Sequence, residues 1–223
     1  MTPSTNLETS LNKIRKRRIS SQKETKPTLD EIKNELKTVN RFNLEKLDSN
    51  RIYYIEDIKS LCIDYRLRFL DFALFKGSIP SEAIDKIQNL EKDHQTDIQN
   101  LKIVAPSKMF RLKNADDPLL FAPLGNDFFY LIHKWGADLH PLRKYLMWPY
   151  KNFENLIFTI FLLSLFLTLL IPDGLFSKEQ SLNQTFIVFL FMFKWVAAIV
   201  LFYGVALGKN FNNQMWNSKY FNG

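Results

Sequence analysis

LIFTIFLLSLFLTLLI at Leu156–Ile171 and TFIVFLFMFKWVAAIVLFYGVALG at Thr185–Gly208 decide how this chain is built. In the first run only Thr159, Ser164 and Thr168 are not plainly apolar, and extending it back to Phe153 brings it near the lower length limit for a spanning helix. Pro172-Asp173-Gly174 then stops it, because proline cannot continue a helix. Lys194 and the glycines Gly204 and Gly208 are the only interruptions in the second run. A segment apolar on every face suits lipid better than the core of a soluble protein. Each Leu, Ile, Phe or Val favours insertion by about 0.3 to 0.6 kcal/mol, against a cost of about 3 kcal/mol for one central lysine, so the second run inserts despite Lys194. The expected organisation is a transmembrane hairpin: a first span over 153–172, a short external loop over 173–184, a second span over 185–208 and a tail over 209–223.

Positive charge sets the orientation. Lys134, Arg143, Lys144 and Lys151 precede the first span, and Lys209 and Lys219 follow the second. The loop between carries Lys178 against Asp173 and Glu179. The excess of Lys and Arg at the outer flanks places both termini in the cytoplasm and the chain in the plasma (inner) membrane. The amino-terminal segment is polar and then basic with no apolar run behind it, unlike a cleavable secretory signal.

Of the 223 residues 24% are charged, with a formal net charge of +7, and nearly all of that charge lies before residue 155. Residues 1–27 hold seven basic side chains against two acids and few large apolar groups, a composition expected to be disordered. The centre of this tail, Lys13, Arg15, Lys16, Arg17 and Arg18, together with Arg143 and Lys144 near the first span, is suited to contact with anionic lipid headgroups. No aromatic is interleaved with the charges to stack on bases, so nucleic acid is not an expected partner. A single cysteine, Cys62, excludes an internal disulfide and reads as a small buried hydrophobe.

Between these regions, residues 28–135 read as an α+β module: helices followed by a small antiparallel sheet. Thr28 and Glu31 match a capping box that opens a modest apolar stripe at Leu29, Ile32 and Leu36. Ile58, Leu61, Cys62, Tyr65, Phe69 and Phe72 recur at steps of three and four, predicting a helix from about Ile55 to Phe75 closed by Gly77. Pro80-Ser81 opens a second helix with Ile84, Ile87 and Leu90 inward, expected to pack on the first. After residue 100 short β-branched and aromatic runs follow, with turns at Asp116-Asp117-Pro118 and Gly125-Asn126-Asp127, so PLLFAPL and DFFYLIHKW form a hairpin. Residues 136–152, with Pro141 near the start and Pro149 near the end, form a juxtamembrane linker helix.

Candidate chemistry is sparse. Seven glycines leave little material for a phosphate loop, and neither a cysteine pair nor an HExxH motif is present. No metal or cofactor is expected. His133, Asp138 and His140 form the densest polar cluster, fit for acid–base work or a metal, though Asp138 also reads as a helix N-cap. Lys194, an ionisable group near mid-span, has Ser164 as its nearest in-chain candidate partner. Gly204 and Gly208 make a GxxxG step that permits close helix approach, within the hairpin or to another protein or a second copy. The leading expectation is a non-enzymatic accessory or adaptor protein anchored by two spans, with a basic cytoplasmic domain at the inner surface. The alternatives are a membrane-bound enzyme working at His133–His140 and a subunit of an oligomeric transporter that uses Lys194.

Overall fold

Apolar runs at Lys102–Pro106 (β3), Leu119–Gly125 (β4) and Phe128–Lys134 (β5) pair antiparallel, as expected of a small sheet. β4 and β5 are joined by a tight turn in which Gly125, Asn126 and Asp127 all take positive φ (102°, 46° and 62°), which Gly, Asn and Asp tolerate best. Two further strands complete the sheet: Ile52–Tyr54 (β1) on β5 and Leu67–Asp71 (β2) on β3. The order is β1-β5-β4-β3-β2, so β1 and β2, consecutive in sequence, stand at opposite edges. The computed structural model describes residues 6–21, 40–106, 118–172, 182–206 and 213–217. The capping box at Thr28, the turn residues Asp116 and Asp117 and the loop over 173–181 lie outside them.

The helix expected from Ile55 to Phe75 is shorter: α2 spans Ile55–Tyr65. Arg66 ends it in the left-handed conformation (φ 52°), its N–H donating to the Cys62 carbonyl, and β2 begins at the next residue. Phe69 and Phe72 continue the helical spacing by coincidence. Leu67 to Leu70 are all buried, which a strand covered on both faces allows and a helix with one wet face does not. Gly77 is not the cap; it sits where a Cβ would overlap the Phe75 ring. The second helix forms where expected, as α3 (Ser81–His94), but it does not pack on α2. Ile87 and Leu90 of α3 join Leu120, Ala122, Leu124 and Ile132 on one face of the sheet. Ile58, Leu61, Cys62 and Tyr65 of α2 cover Leu119, Phe121 and Leu131 on the other.

The largest correction concerns the amino-terminal tail. Residues expected to be disordered form a 15-residue helix, α1 (Leu7–Ser21), begun by the Asn6 side chain accepting from the Glu8 and Thr9 amides. Leu7 and Leu11 are completely buried, with Ile14 packed beside them, in the core that α2 shares with the sheet. Their spacing of four and three is a narrow apolar stripe that the basic composition hides. Polar contacts reinforce it. Tyr53 donates its hydroxyl to Asn12 Oδ1 at 2.8 Å, and Arg18 grips the buried Asp57 through two bonds of 2.7 and 2.9 Å. Burial pushes the Tyr53 hydroxyl pKa up to about 12.

The chain divides into two compact units, the first running to Lys144 and including Trp216, the second from Tyr145 to Met215. Trp216 stacks on Phe69 with ring centroids 6.3 Å apart, so the chain rejoins the first unit late in its course. The linker expected to be helical over 136–152 is helical only in α4 (Arg143–Met147) and a 3-10 turn at Trp148–Tyr150. In the second unit α5 (Phe153–Leu169) packs on α6 (Leu182–Ala206). α5 buries Leu156, Ile160, Ser164 and Thr168, a stripe with a step of four. α6, over Leu182–Gly204, is long and apolar enough to cross a membrane, and many of its large apolar side chains are exposed. At 17 residues α5 is about 25 Å long, against about 30 Å for the hydrocarbon layer, so only α6 qualifies by length among the described residues.

Leu11→Ala should lower folding stability by about 2–5 kcal/mol, the usual cost of an internal cavity. Chemical unfolding of the full chain in detergent would measure it. A midpoint equal to wild type would show that α1 is not part of the core.

Candidate functional site

β5 carries the polar cluster singled out in the sequence, and its local geometry separates the members. Leu120 pairs with His133 and Phe121 with Leu131, leaving Ile132 as an extra residue in a β-bulge. The bulge turns His133 toward α3. There its Nδ1 lies 2.9 Å from Lys86 Nζ, and its Nε2 lies 3.8 Å from Glu82, while the ring stacks on Trp135 at 6.0 Å. Asp138 instead accepts from Lys134 Nζ at 2.7 Å. His140 Nδ1 accepts the Leu142 amide, taking the capping position expected of Asp138. Each member therefore has its own partner, and no group of three or more His, Cys, Asp or Glu is placed to hold a metal among the described residues.

What the sequence did not reveal is a cavity of about 220 Å³ at the end of β5, lined by Glu8 of α1, Arg51, Lys86 of α3 and the four consecutive residues Leu131, Ile132, His133 and Lys134. It exists because β1 is short. β1 pairs only with Phe128–Tyr130, and the Asp48 side chain, accepting the Asn50 amide, folds Ser49–Arg51 into a 3-10 turn just where pairing would continue. Arg51 then reaches the Ile132 carbonyl at 3.4 Å across the open edge. Four distant segments build the cavity, so spacing along the chain carries no sign of it.

The basic residues divide by role. Arg15 donates to the Ser49 and Asn50 carbonyls at 3.0 and 2.9 Å, and Arg18 is held by Asp57. Arg143 donates to the Tyr65 carbonyl and Lys144 to Asp64 at 2.6 Å. Lys13, Lys16 and Arg17 are exposed on the outer face of α1.

In the second unit Ser164 and Lys194 do not meet. Ser164 donates to the Ile160 carbonyl at 2.7 Å on the face of α5 that is buried, as Thr168 does to Ser164. On α6 the more covered positions recur as Val188 and Phe189, Met192 and Phe193, Val196 and Ala197, then Val200 and Gly204, and Lys194 is exposed outside that face. Gly204 is buried; Gly208 lies outside the described residues. Cys62 is buried in the first unit, which pushes its thiol pKa up and keeps it unreactive.

The chain matches no protein-family model, and comparison with curated proteins and with solved structures finds no similar one.

Two histidines face burial as neutral rings. His94 accepts the Asn43 amide at 3.0 Å and packs edge-on to Phe42. Burial, then Lys46, lowers its pKa; burial, then Lys86, lowers that of His133. An unfolded chain binds these protons first, so stability should fall as pH drops below about 6.5 and down through the lower folded values. His94→Gln with His133→Gln should flatten that part of the profile in urea unfolding between pH 7 and 5. An unchanged slope would assign the pH dependence to other groups.

Proposed function

We propose that this protein is a membrane-anchored accessory subunit: α5 and α6 cross the inner membrane as a hairpin, both ends cytoplasmic, and the basic α+β unit serves as its cytoplasmic module. The observation that carries the reading is the uncovered apolar surface of α6 with one lysine at its midpoint. Lys194 is twelve residues from either end of the helix, or about 18 Å, more than its side chain can reach. It faces away from α5 and makes no hydrogen bond or ion pair with any described residue. A charge so placed costs about 3 kcal/mol on insertion scales. A carboxylate or strong acceptor on a neighbouring transmembrane helix would recover that cost, and a second copy presenting the same face would set lysine against lysine.

Two features support the hairpin. The chain leaves the first unit at Lys144 and is back in it at Trp216, which favours an even number of crossings for the segment between. On this reading α5 crosses with α6, its shortfall of a few ångströms made up by local thinning at modest cost. The chain also bends by 103° between Arg143–Tyr150 and Phe153–Leu169, which suits a short helix lying in the headgroup plane before a span. Its exposed Leu142, Tyr145, Leu146 and Trp148 suit that plane. The enzyme reading is the weaker one because His133, Asp138 and His140 each face a different partner.

In a Cys62→Ala background, Ser177→Cys should react with an impermeant thiol reagent in intact cells and Ser218→Cys only after lysis. The opposite pattern would invert the topology, and labelling of both in intact cells would abolish the hairpin.

Lys194→Leu should insert at least as well as wild type yet lose the partner subunit on co-purification in mild detergent, with Lys194→Arg retaining part of it. A Leu variant that keeps every partner would leave Lys194 without a function.

A further inference from the structure

Lys86 is an ammonium group whose one hydrogen-bond partner among the described residues is an imidazole nitrogen, not an acid. The bulge at Ile132 forces this pairing by turning His133 onto the α3 side. With Nδ1 accepting from Lys86, the neutral ring carries its proton on Nε2 and presents it as a donor. Arg51 joins them in lining the cavity, as does Lys134; Glu8 is the one acid in the lining. The other acids nearby are engaged from outside it: Asp138 on Lys134, Asp48 at 3.9 Å from Arg51, and Glu82, itself largely in solvent, at 3.8 Å from His133. The lining thus holds three cations and an N–H donor against one carboxylate. The space they line, about 220 Å³, is large enough for a tetrahedral oxyanion with several waters.

We propose that this cavity is a binding site for an oxyanion of the phosphate class, either a soluble phosphate or the phosphate of a lipid headgroup. Such a ligand would take hydrogen bonds from Arg51, Lys86 and His133 together and relieve the repulsion between the ammonium and any proton added to His133. The inference stands apart from the accessory-subunit reading, since it uses only the first unit and would survive if Lys194 proved idle.

The histidines make it measurable, because the chain has three: His94, His133 and His140. Sulfate is the first probe, as its charge is constant between pH 5 and 8. In the full chain in zwitterionic detergent, sulfate in place of chloride at equal ionic strength should raise the NMR titration midpoint of His133 and leave His94 and His140 unmoved. Calorimetry should give sulfate binding about tenfold weaker for Lys86→Gln and for Arg51→Gln, the loss of one charge-assisted contact. Lys92→Gln, with the same net charge change elsewhere on α3, should bind as wild type. Lys86 is exposed, so its replacement does not threaten the fold. Inorganic phosphate should behave as sulfate does. In nanodiscs free of sulfate, a His133 shift appearing with phosphatidic acid but not with phosphatidylcholine alone would assign the headgroup source; a shift only on adding free phosphate would assign the soluble one. Equal movement of all three histidines, or undiminished binding in both Lys86→Gln and Arg51→Gln, would overturn the site.

Discussion

β4 has no wet face. Leu119 and Phe121 point to one side of the sheet and Leu120 and Ala122 to the other, and all four are completely buried. A central strand of this kind obliges the chain to supply cover twice, and the rest of the first unit is the means by which it does so. α3 and the Phe42–Leu47 segment close one side. The other requires α2 and also α1, because eleven residues of α2 leave part of the face around Phe121 and Phe69 uncovered. α1 and Trp216, drawn from far apart in the sequence, fill the remainder. The buried Asp57 is tolerated in this setting because Arg18 arrives with α1 and satisfies both carboxylate oxygens.

The sequence was most legible where a pattern is strictly local. The hairpin of β4 and β5 follows from turn residues that accept positive φ, α3 from Pro80 and its apolar spacing, and the lipid-suited character of α6 from its length. It was least legible where a local pattern has two solutions. Tyr65, Phe69 and Phe72 satisfy a helical period, and only pairing with β3, remote in sequence, selects a strand after Arg66. α1 illustrates the complementary difficulty: three apolar residues are a faint stripe, and their value depends on a groove that exists only after the sheet has formed. Mean composition, dominated by lysine and arginine, pointed the other way.

The candidate sites divide in the same manner. Lys194 could be picked out from one dimension, since an ionisable group in a long apolar run is conspicuous anywhere. Its pairing with Ser164 could not be read that way, because equal depth in a hairpin does not fix rotation about the helix axis. The cavity beside His133 needed three dimensions throughout: a 3-10 turn that cuts β1 short, a bulge that shifts one residue of β5, and a lysine offered from α3. The partner of His133 is Lys86, forty-seven residues upstream, rather than Asp138 or His140 close by.

Trp216 adds a constraint of timing. It follows both long apolar helices in the order of synthesis, yet its ring belongs against Phe69 in the unit that precedes them. A growing chain that has emerged as far as β5 can pair its strands and dock α1 and α2, but the surface over Phe69 stays open while α5 and α6 are being made. Translation thus delivers the last piece of the first unit only after the apolar helices have left the ribosome. Maturation of that unit is in this way coupled to the fate of the helices: a chain whose helices have gone astray would carry an unfinished aromatic surface, the kind of exposed patch that chaperones and proteases recognise.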